Sequence, residues 1–156
     1  LGVGVRYTAS PRLTLVSDLT WLQWSKSMRE SRLTAREPDD PTADAVYRIN
    51  APLAWRDMYL FAIGGLYQWN DSTVLRGGVS YSRQPVPKAT LDPLLALTAE
   101  TTVSAGFSRR LSPEWEGAAS VAWQPPKSID YERAGFGSSR EYWNAAILYF
   151  GLIRRW

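Results

Sequence analysis

The stretch WEGAASVAWQ (residues 115–124) alternates between two kinds of side chain, and this alternation restricts the fold more than any other feature of the chain. The intervening residues are polar or small, whereas the alternate set is apolar or small and has tryptophan at both ends: Trp115, Gly117, Ala119, Val121 and Trp123. Because side chains of a β-strand point alternately to opposite faces, the stretch predicts a strand with one face in an apolar environment.

The spacing of the two tryptophans indicates which apolar environment this is. Trp115 and Trp123 are eight positions apart, or about 26 Å along a strand at ~3.3 Å per residue. A tilt of about 40° reduces this to roughly 20 Å along the membrane normal, close to the apolar band of a transmembrane barrel between its aromatic girdles. Strands of a soluble β-sandwich also alternate, so one strand does not distinguish the two folds. A barrel requires neighbouring segments to show the same pattern.

Five further segments repeat it with apolar residues at odd positions: Val3, Val5 and Tyr7; Leu13, Leu15, Leu19 and Trp21; Tyr59, Phe61, Ile63, Tyr67 and Trp69; Leu75, Val79 and Tyr81; Val103, Ala105 and Phe107. The last segment is apolar on both faces. We assign Phe150, Leu152 and Trp156 to its outward face, which places Arg154 at the membrane rim.

Turn-forming residues divide the chain into seven predicted strands, at residues 1–8, 13–33, 54–69, 73–83, 99–110, 115–124 and 141–153. The connections alternate between short turns and long polar loops, as in outer-membrane barrels. No uncharged apolar run reaches the ~18 residues of a membrane helix, so any crossing must use strands. The sequence therefore predicts an all-β, antiparallel, up-and-down transmembrane β-barrel.

Seven is an odd number, whereas single-chain bacterial barrels have an even number of strands. An open sheet in lipid would also leave two edges without hydrogen-bond partners. We therefore expect residues 1–156 to be the C-terminal portion of one larger barrel domain, preceded by an odd number of strands.

Composition excludes several functions. The net charge is +3, but the Lys and Arg residues are scattered, so no nucleic-acid partner is expected. The chain has no Cys and no His, which excludes disulfides, His or thiolate metal sites and a Ser–His lipase. The acidic run EPDDPTAD (residues 37–44) favours a solvated loop over a weak site for a hard cation. No catalytic residue, metal or cofactor is predicted, and the protein is not expected to be an enzyme.

Residues 52–87 contain the motifs W-x-D, G-x-x-Y, L-R-x-G-x-x-Y and Pro-Val: Trp55, Asp57, Gly64, Tyr67, Leu75, Arg76, Gly78, Tyr81, Pro85 and Val86. This set resembles the signature region of the FadL/TodX family of outer-membrane fatty-acid and hydrocarbon transporters. Residues 1–25 are similar to the family's G-x-x-Y, S-P-x-L-x-L and D-x-x-W-x-x-W-S motifs. The chain departs from the family at LDPLLALTAE (residues 91–100), where a Pro-Asp-x-x-Arg-Trp motif is usual.

The resemblance implies a fourteen-stranded barrel in the outer membrane of a Gram-negative bacterium, of which this chain is the C-terminal seven strands. It also implies a monomeric full-length barrel, an N-terminal plug in the lumen and a strand kink that opens sideways into the bilayer. The plug, the kink and the earlier strands belong to a part that these residues do not contain.

Candidate ligand-binding residues are apolar side chains in places that a water-filled pore would leave polar. Met58, Leu60 and Leu66 have inward parity, as do Val16 and Leu22, and either line a hydrophobic path or pack against a plug. Leu94, Leu95 and Leu97 lie in a loop, where they form either a capture groove or a contact beneath another loop.

Other inward and outward residues are given structural roles. The inward charges are expected to form cross-strand pairs rather than a ligand path: Arg6, Asp18, Arg76, Glu100 and Glu116. We expect girdle positions for four tryptophans, Trp21, Trp69, Trp115 and Trp123, and close strand approach or bending at four glycines, Gly64, Gly65, Gly77 and Gly78.

The predicted function is passive transport of hydrophobic compounds, either long-chain fatty acids or aromatic hydrocarbons. The expected partners are outer-membrane lipid and a hydrophobic small-molecule ligand. A structural or adhesive barrel and a polar-solute porin are the alternatives.

Overall fold

A computed structural model describes residues 1–36, 46–91, 99–133 and 137–154. The strands, with one short α-helix, are β1 (Gly2–Ser10), β2 (Leu13–Leu22), α1 (Trp24–Ser27), β3 (Glu30–Arg36), β4 (Val46–Pro52), β5 (Met58–Asn70), β6 (Thr73–Ser82), β7 (Thr101–Arg110), β8 (Trp115–Arg133) and β9 (Gly137–Arg154). A 3-10 helix spans Lys88–Thr90. Within these ranges, no helix has the length and apolar character required to cross a bilayer.

Seven strands form one antiparallel sheet in the order β1-β2-β5-β6-β7-β8-β9, and β3 and β4 form a separate hairpin. With that hairpin set aside, each strand pairs with the next in sequence, which confirms the predicted up-and-down arrangement. Within the described ranges, β1 and β9 each pair on one side only. The sheet is therefore an open part of a barrel wall.

The strand register places the apolar side chains on one face, because directly opposed residues of an antiparallel pair share a face. Phe61 lies opposite Tyr81, and Ile63 opposite Val79. On the final pair, Gly117 and Ala119 lie opposite Leu152 and Phe150, which confirms the outward assignment of β9. Trp156 is outside the described residues.

Arg154 also lies on this outward face, at the end of β9 near the short turns. It is opposite Trp115, and its guanidinium carbon is 5.8 Å from the centre of the indole ring. Its Nη2 atom is 3.8 Å from a carboxylate oxygen of Glu114. The charge is thereby accommodated at the rim, as the sequence predicts.

The predicted end of the second strand and the long loop predicted after it are wrong. The strand predicted at residues 13–33 ends at Leu22, and α1 and β3 follow it. Part of the long loop predicted after it is β4, which pairs with β3 from Glu30↔Pro52 to Arg36↔Val46. The chain leaves the sheet at this point because Trp24 and Ser25 bind residues near the start of β5, described below.

The loop predicted at residues 125–140 is also wrong, because β8 continues to Arg133 and β9 begins at Gly137. Pro125 and Pro126 indicated a strand end, but the register shifts between Gln124 and Lys127, so they lie in a β-bulge. Proline is tolerated at bulges and free edges because it donates no ladder hydrogen bond. Pairing with β7 ends at Trp123, so β8 has a free edge there.

The buried core lies at the long-loop end of the sheet, where the extension of β8 meets the long loops. Its members are Trp55, Val86, Leu91, Ile129 and Tyr131, with Trp24, Met28 and Leu53 packed against them. Three connections contribute: β2 to β5, β6 to β7, and the β8–β9 extension. This loop-end cluster binds the long connections together over one end of the sheet.

Inward-facing glycines allow the sheet to curve. Gly64 and Gly78 are directly opposed, and a Cβ atom on either would lie 2.9 Å from a backbone carbonyl oxygen. A Cβ on Gly106 would lie 2.5 Å from the Cβ of Ser120. The nearest atoms to a Cβ on Gly65 or Gly77 are at 3.5 Å or more. The predicted close approach is confirmed for Gly64 and Gly78 only.

Gly78→Ala is expected to destabilise the folded full-length barrel by about 1–3 kcal/mol, because the methyl group overlaps the carbonyl of Ile63. Gly77→Ala adds the same methyl group on the opposite face, where the nearest atom lies 3.6 Å away, an ordinary contact distance, and serves as the control. Urea unfolding in lipid vesicles measures both. Equal losses of stability would contradict close strand approach as the role of Gly78.

Candidate functional site

The inner face of the sheet carries a trough lined by small side chains. One part has a volume of about 520 Å³ and the adjoining part about 490 Å³, and the two share Val16, Gly64, Gly78 and Ser104. Most inward residues on the neighbouring strands are also small: Gly4, Ala62, Ser80, Thr102, Gly106, Ala118, Ser120 and Gly151. Short side chains at successive inward positions leave space along the wall, so a ligand can lie against the backbone.

Of the predicted binding residues, Leu66 lies in the trough. It is opposite Thr14 on β2 and Arg76 on β6, and it lines the larger part of the trough together with Val16. Tyr149 lines the same part from β9. The wall therefore combines small side chains with a few large apolar or aromatic ones.

Met58 and Leu60 share this inner face but do not line the trough. They lie nearer the long loops, opposite Leu22 and Thr20, and both are half-buried. Leu66 is about 20 Å from Leu60 along the strand at ~3.3 Å per residue. The three side chains therefore mark two levels of one wall. Leu94, Leu95 and Leu97 lie outside the described residues.

Polar contacts border the trough on its loop side. Lys127 forms an ion pair with Glu100, and the other carboxylate oxygen of Glu100 accepts a hydrogen bond from the Gln84 backbone N–H at 3.2 Å. The Nε1–H of Trp143 donates to Gln124 at 2.6 Å. The sequence placed Lys127 in a loop and missed this pair. The alternation in KSIDY (residues 127–131), with Ile129 and Tyr131 apolar, was the available signal.

The short-turn end of the trough is polar. Arg76 donates from Nη1 to the Ser108 hydroxyl at 2.9 Å. A smaller recess of about 220 Å³ adjoins it, lined by Gln68, Asp71, Ser72, Val74, Arg76, Ser108, Arg110 and Glu116. Asp18, at the other end of the trough, accepts a hydrogen bond from Thr20 at 2.8 Å. Among the described lining residues, the larger part of the trough carries one charged residue, Arg76, and the smaller part carries two, Arg6 and Asp18, with Arg6 directly opposite Val16.

Two sequence motifs meet above the trough. Trp24 and Trp55 pack edge to face, with ring centres 5.6 Å apart and planes at 69°. The Ser25 backbone N–H donates to Asp57 Oδ1 at 3.0 Å. Hydrogen bonds from the side chain and backbone of Ser25 lower the pKa of Asp57. The W-S and W-x-D motifs thus fasten the end of β2 to the start of β5.

Comparison with known proteins identifies one family. The family model described as outer membrane protein transport protein (OMPP1/FadL/TodX) matches residues 1–135. No protein of curated function matches the sequence significantly.

Solved structures share the fold. The toluene transporter TbuX of Ralstonia pickettii is 18% identical with a TM-score of 0.64, over 98% of this chain and 32% of that one. A FadL homologue of Pseudomonas aeruginosa is 20% identical with a TM-score of 0.66, over 98% and 33%. The toluene transporter TodX of Pseudomonas putida is 17% identical with a TM-score of 0.61, over 96% and 33%. The chain thus spans about a third of the length of each.

Asp57→Asn is expected to speed amide hydrogen exchange in residues 23–28 at neutral pH, because Ser25 loses a charged acceptor. In the unsubstituted protein, the amides of residues 23–28 are expected to be protected from exchange above about pH 4, the ordinary aspartate range. This protection is lost as the pH falls through the lowered pKa of Asp57. Hydrogen-exchange mass spectrometry of the full-length protein measures both.

Asp18→Asn is the control, because Asp18 binds Thr20 within its own strand and has no bond to this segment. Unchanged exchange in Asp57→Asn would show that Asp57 does not fasten the loop.

Proposed function

Because this chain belongs to the OMPP1/FadL/TodX family of outer membrane transport proteins, we propose that it forms part of a channel for hydrophobic compounds. Its strands lie in the outer membrane of a Gram-negative bacterium. We propose that the described residues are the C-terminal portion of a single barrel that functions as a monomer.

The observation that supports this function most directly is the trough on the inner face. A wall built for water and ions would present charged and hydroxyl groups along its length, as porin lumens do. Here the wall instead presents Val16, Leu66 and Tyr149 among glycines, alanines and serines, and its charged residues are few: Arg6, Asp18 and Arg76. A hydrophobic molecule gains contact area there without displacing tightly bound water.

The proposed path begins at the long loops and follows β5. Leu94, Leu95 and Leu97 are proposed to capture the ligand, Met58 and Leu60 to receive it, and Leu66 to contact it in the trough. Passage is proposed to be passive, down the concentration gradient, and not enzymatic. A smooth wall of small side chains offers few fixed hydrogen bonds, so a bound molecule is released readily.

Two ligand classes fit this chemistry. Two of the structural matches are named as toluene transporters and one as a FadL homologue. We accordingly propose aromatic hydrocarbons or long-chain fatty acids as ligands. A polar-solute porin is disfavoured by the small and apolar side chains along most of the wall. An adhesive barrel would use its loops and would have no need of a trough.

Ser104→Trp is expected to reduce uptake of labelled toluene and oleate to near the level of cells without the protein, because the indole fills the part of the trough shared by both recesses. Val103→Trp places the same side chain on the outward face, at the preceding residue, and is expected to leave uptake unchanged. Uptake is measured in cells expressing the full-length protein, with folding checked by heat-modifiable gel migration. Normal uptake by folded Ser104→Trp would contradict transport along this wall.

A further inference from the structure

The outward face carries a depression at the short-turn end, separate from the trough. It has a volume of about 350 Å³ and lies across β5, β6 and β7, lined by Trp69, Asn70, Thr73, Leu75, Phe107 and Arg109. The register places Thr73 opposite Arg109 and Leu75 opposite Phe107, so these four residues share the lipid-facing side. Within the described part of the chain, all three strands pair with a neighbour on both sides, so this surface lies away from the edges of the sheet.

The depression has an apolar part, formed by Trp69, Leu75 and Phe107, and a polar end. Trp69 is 60% exposed, and Tyr67 packs against it edge to face at 6.4 Å. Leu75 and Phe107 continue the apolar surface toward the middle of the membrane. Polar groups of Asn70, Thr73 and Arg109 lie together at the opposite end, beside the short turns. This division matches an amphiphile whose head lies at the rim and whose chain lies along the barrel.

Arg109 supplies an uncompensated positive charge. Its side chain is exposed, and within the described part of the chain no carboxylate lies within ion-pair distance of it. Arg154, at the same rim, is instead close to Glu114. A lipid-facing arginine is costly unless it reaches the headgroup layer and an anion there. A guanidinium binds phosphate oxygens through two parallel hydrogen bonds.

We propose that this depression binds an anionic glycerophospholipid of the periplasmic leaflet. Short turns of outer-membrane barrels lie on the periplasmic side, which fixes the leaflet. The lipid phosphate lies at Arg109 with Asn70 and Thr73, and one acyl chain lies along Leu75, Phe107 and Trp69. The inference depends on the lipid-facing side of the sheet and is independent of the transported ligand.

Native mass spectrometry of the purified, delipidated full-length protein tests this with phosphatidylglycerol as the probe. Arg109→Gln is expected to weaken binding of the tightest phosphatidylglycerol about tenfold, the effect of losing one charge-assisted contact. Arg109→Lys keeps the charge but lacks the planar guanidinium, so its affinity for phosphatidylglycerol is expected to lie between those of the unsubstituted protein and Arg109→Gln. Arg110→Gln removes the same charge from the neighbouring residue, which faces the inner recess, and is expected to bind normally.

Two further ligands identify the source of the phosphate. Diacylglycerol with the same chains is expected to bind weakly and equally to the unsubstituted protein and to Arg109→Gln. Millimolar inorganic phosphate is expected not to displace phosphatidylglycerol, because it lacks the chains. Equal weakening in Arg109→Gln and Arg110→Gln, unchanged binding in folded Arg109→Gln, or full displacement by inorganic phosphate would each overturn the proposal.

Discussion

Backbone hydrogen bonding in hydrocarbon is the constraint on which this structure depends. A bilayer offers no water to satisfy peptide groups, so each strand must pair with its neighbours. Once the strands pair, the period of two fixes which side chains meet lipid and which meet the lumen. The register from Phe61↔Tyr81 to Ala119↔Phe150 therefore determines both surfaces of the protein at once.

The two surfaces then serve different needs. The outer surface is apolar over most of its area, and Arg154 and Arg109 lie at its rim, near the short turns. The side chains in the middle of the inner surface are small, because Gly64, Gly78 and Gly106 approach the neighbouring backbone too closely for a side chain. These glycines let neighbouring strands approach closely and also leave the space of the trough, so strand packing and room for a ligand have one cause.

Much of the membrane-embedded fold follows from the sequence, because lipid imposes a pattern that each strand shows alone. The extramembrane parts do not follow in this way. Ile129 and Tyr131 alternate with Ser128 and Asp130, but their burial depends on Trp55 and Leu91, which are distant in sequence. The trough was likewise only partly predictable. The odd–even alternation of β5 predicts that Leu66 faces inward. The ion pair of Lys127 with Glu100 could not be predicted in this way, because it depends on β8 continuing past the bulge.

The most direct test of the account is solvent accessibility along β7 and β8. Single spin labels are placed at Val103, Ser104, Val121 and Ala122 of the full-length protein in lipid bilayers, with any cysteine outside residues 1–156 replaced beforehand, since this chain contains none. The account predicts that labels at Val103 and Val121 are relaxed by oxygen and shielded from an aqueous nickel complex, and that labels at Ser104 and Ala122 show the opposite. Similar accessibility at all four positions, or aqueous exposure of Val103 and Val121, would contradict it.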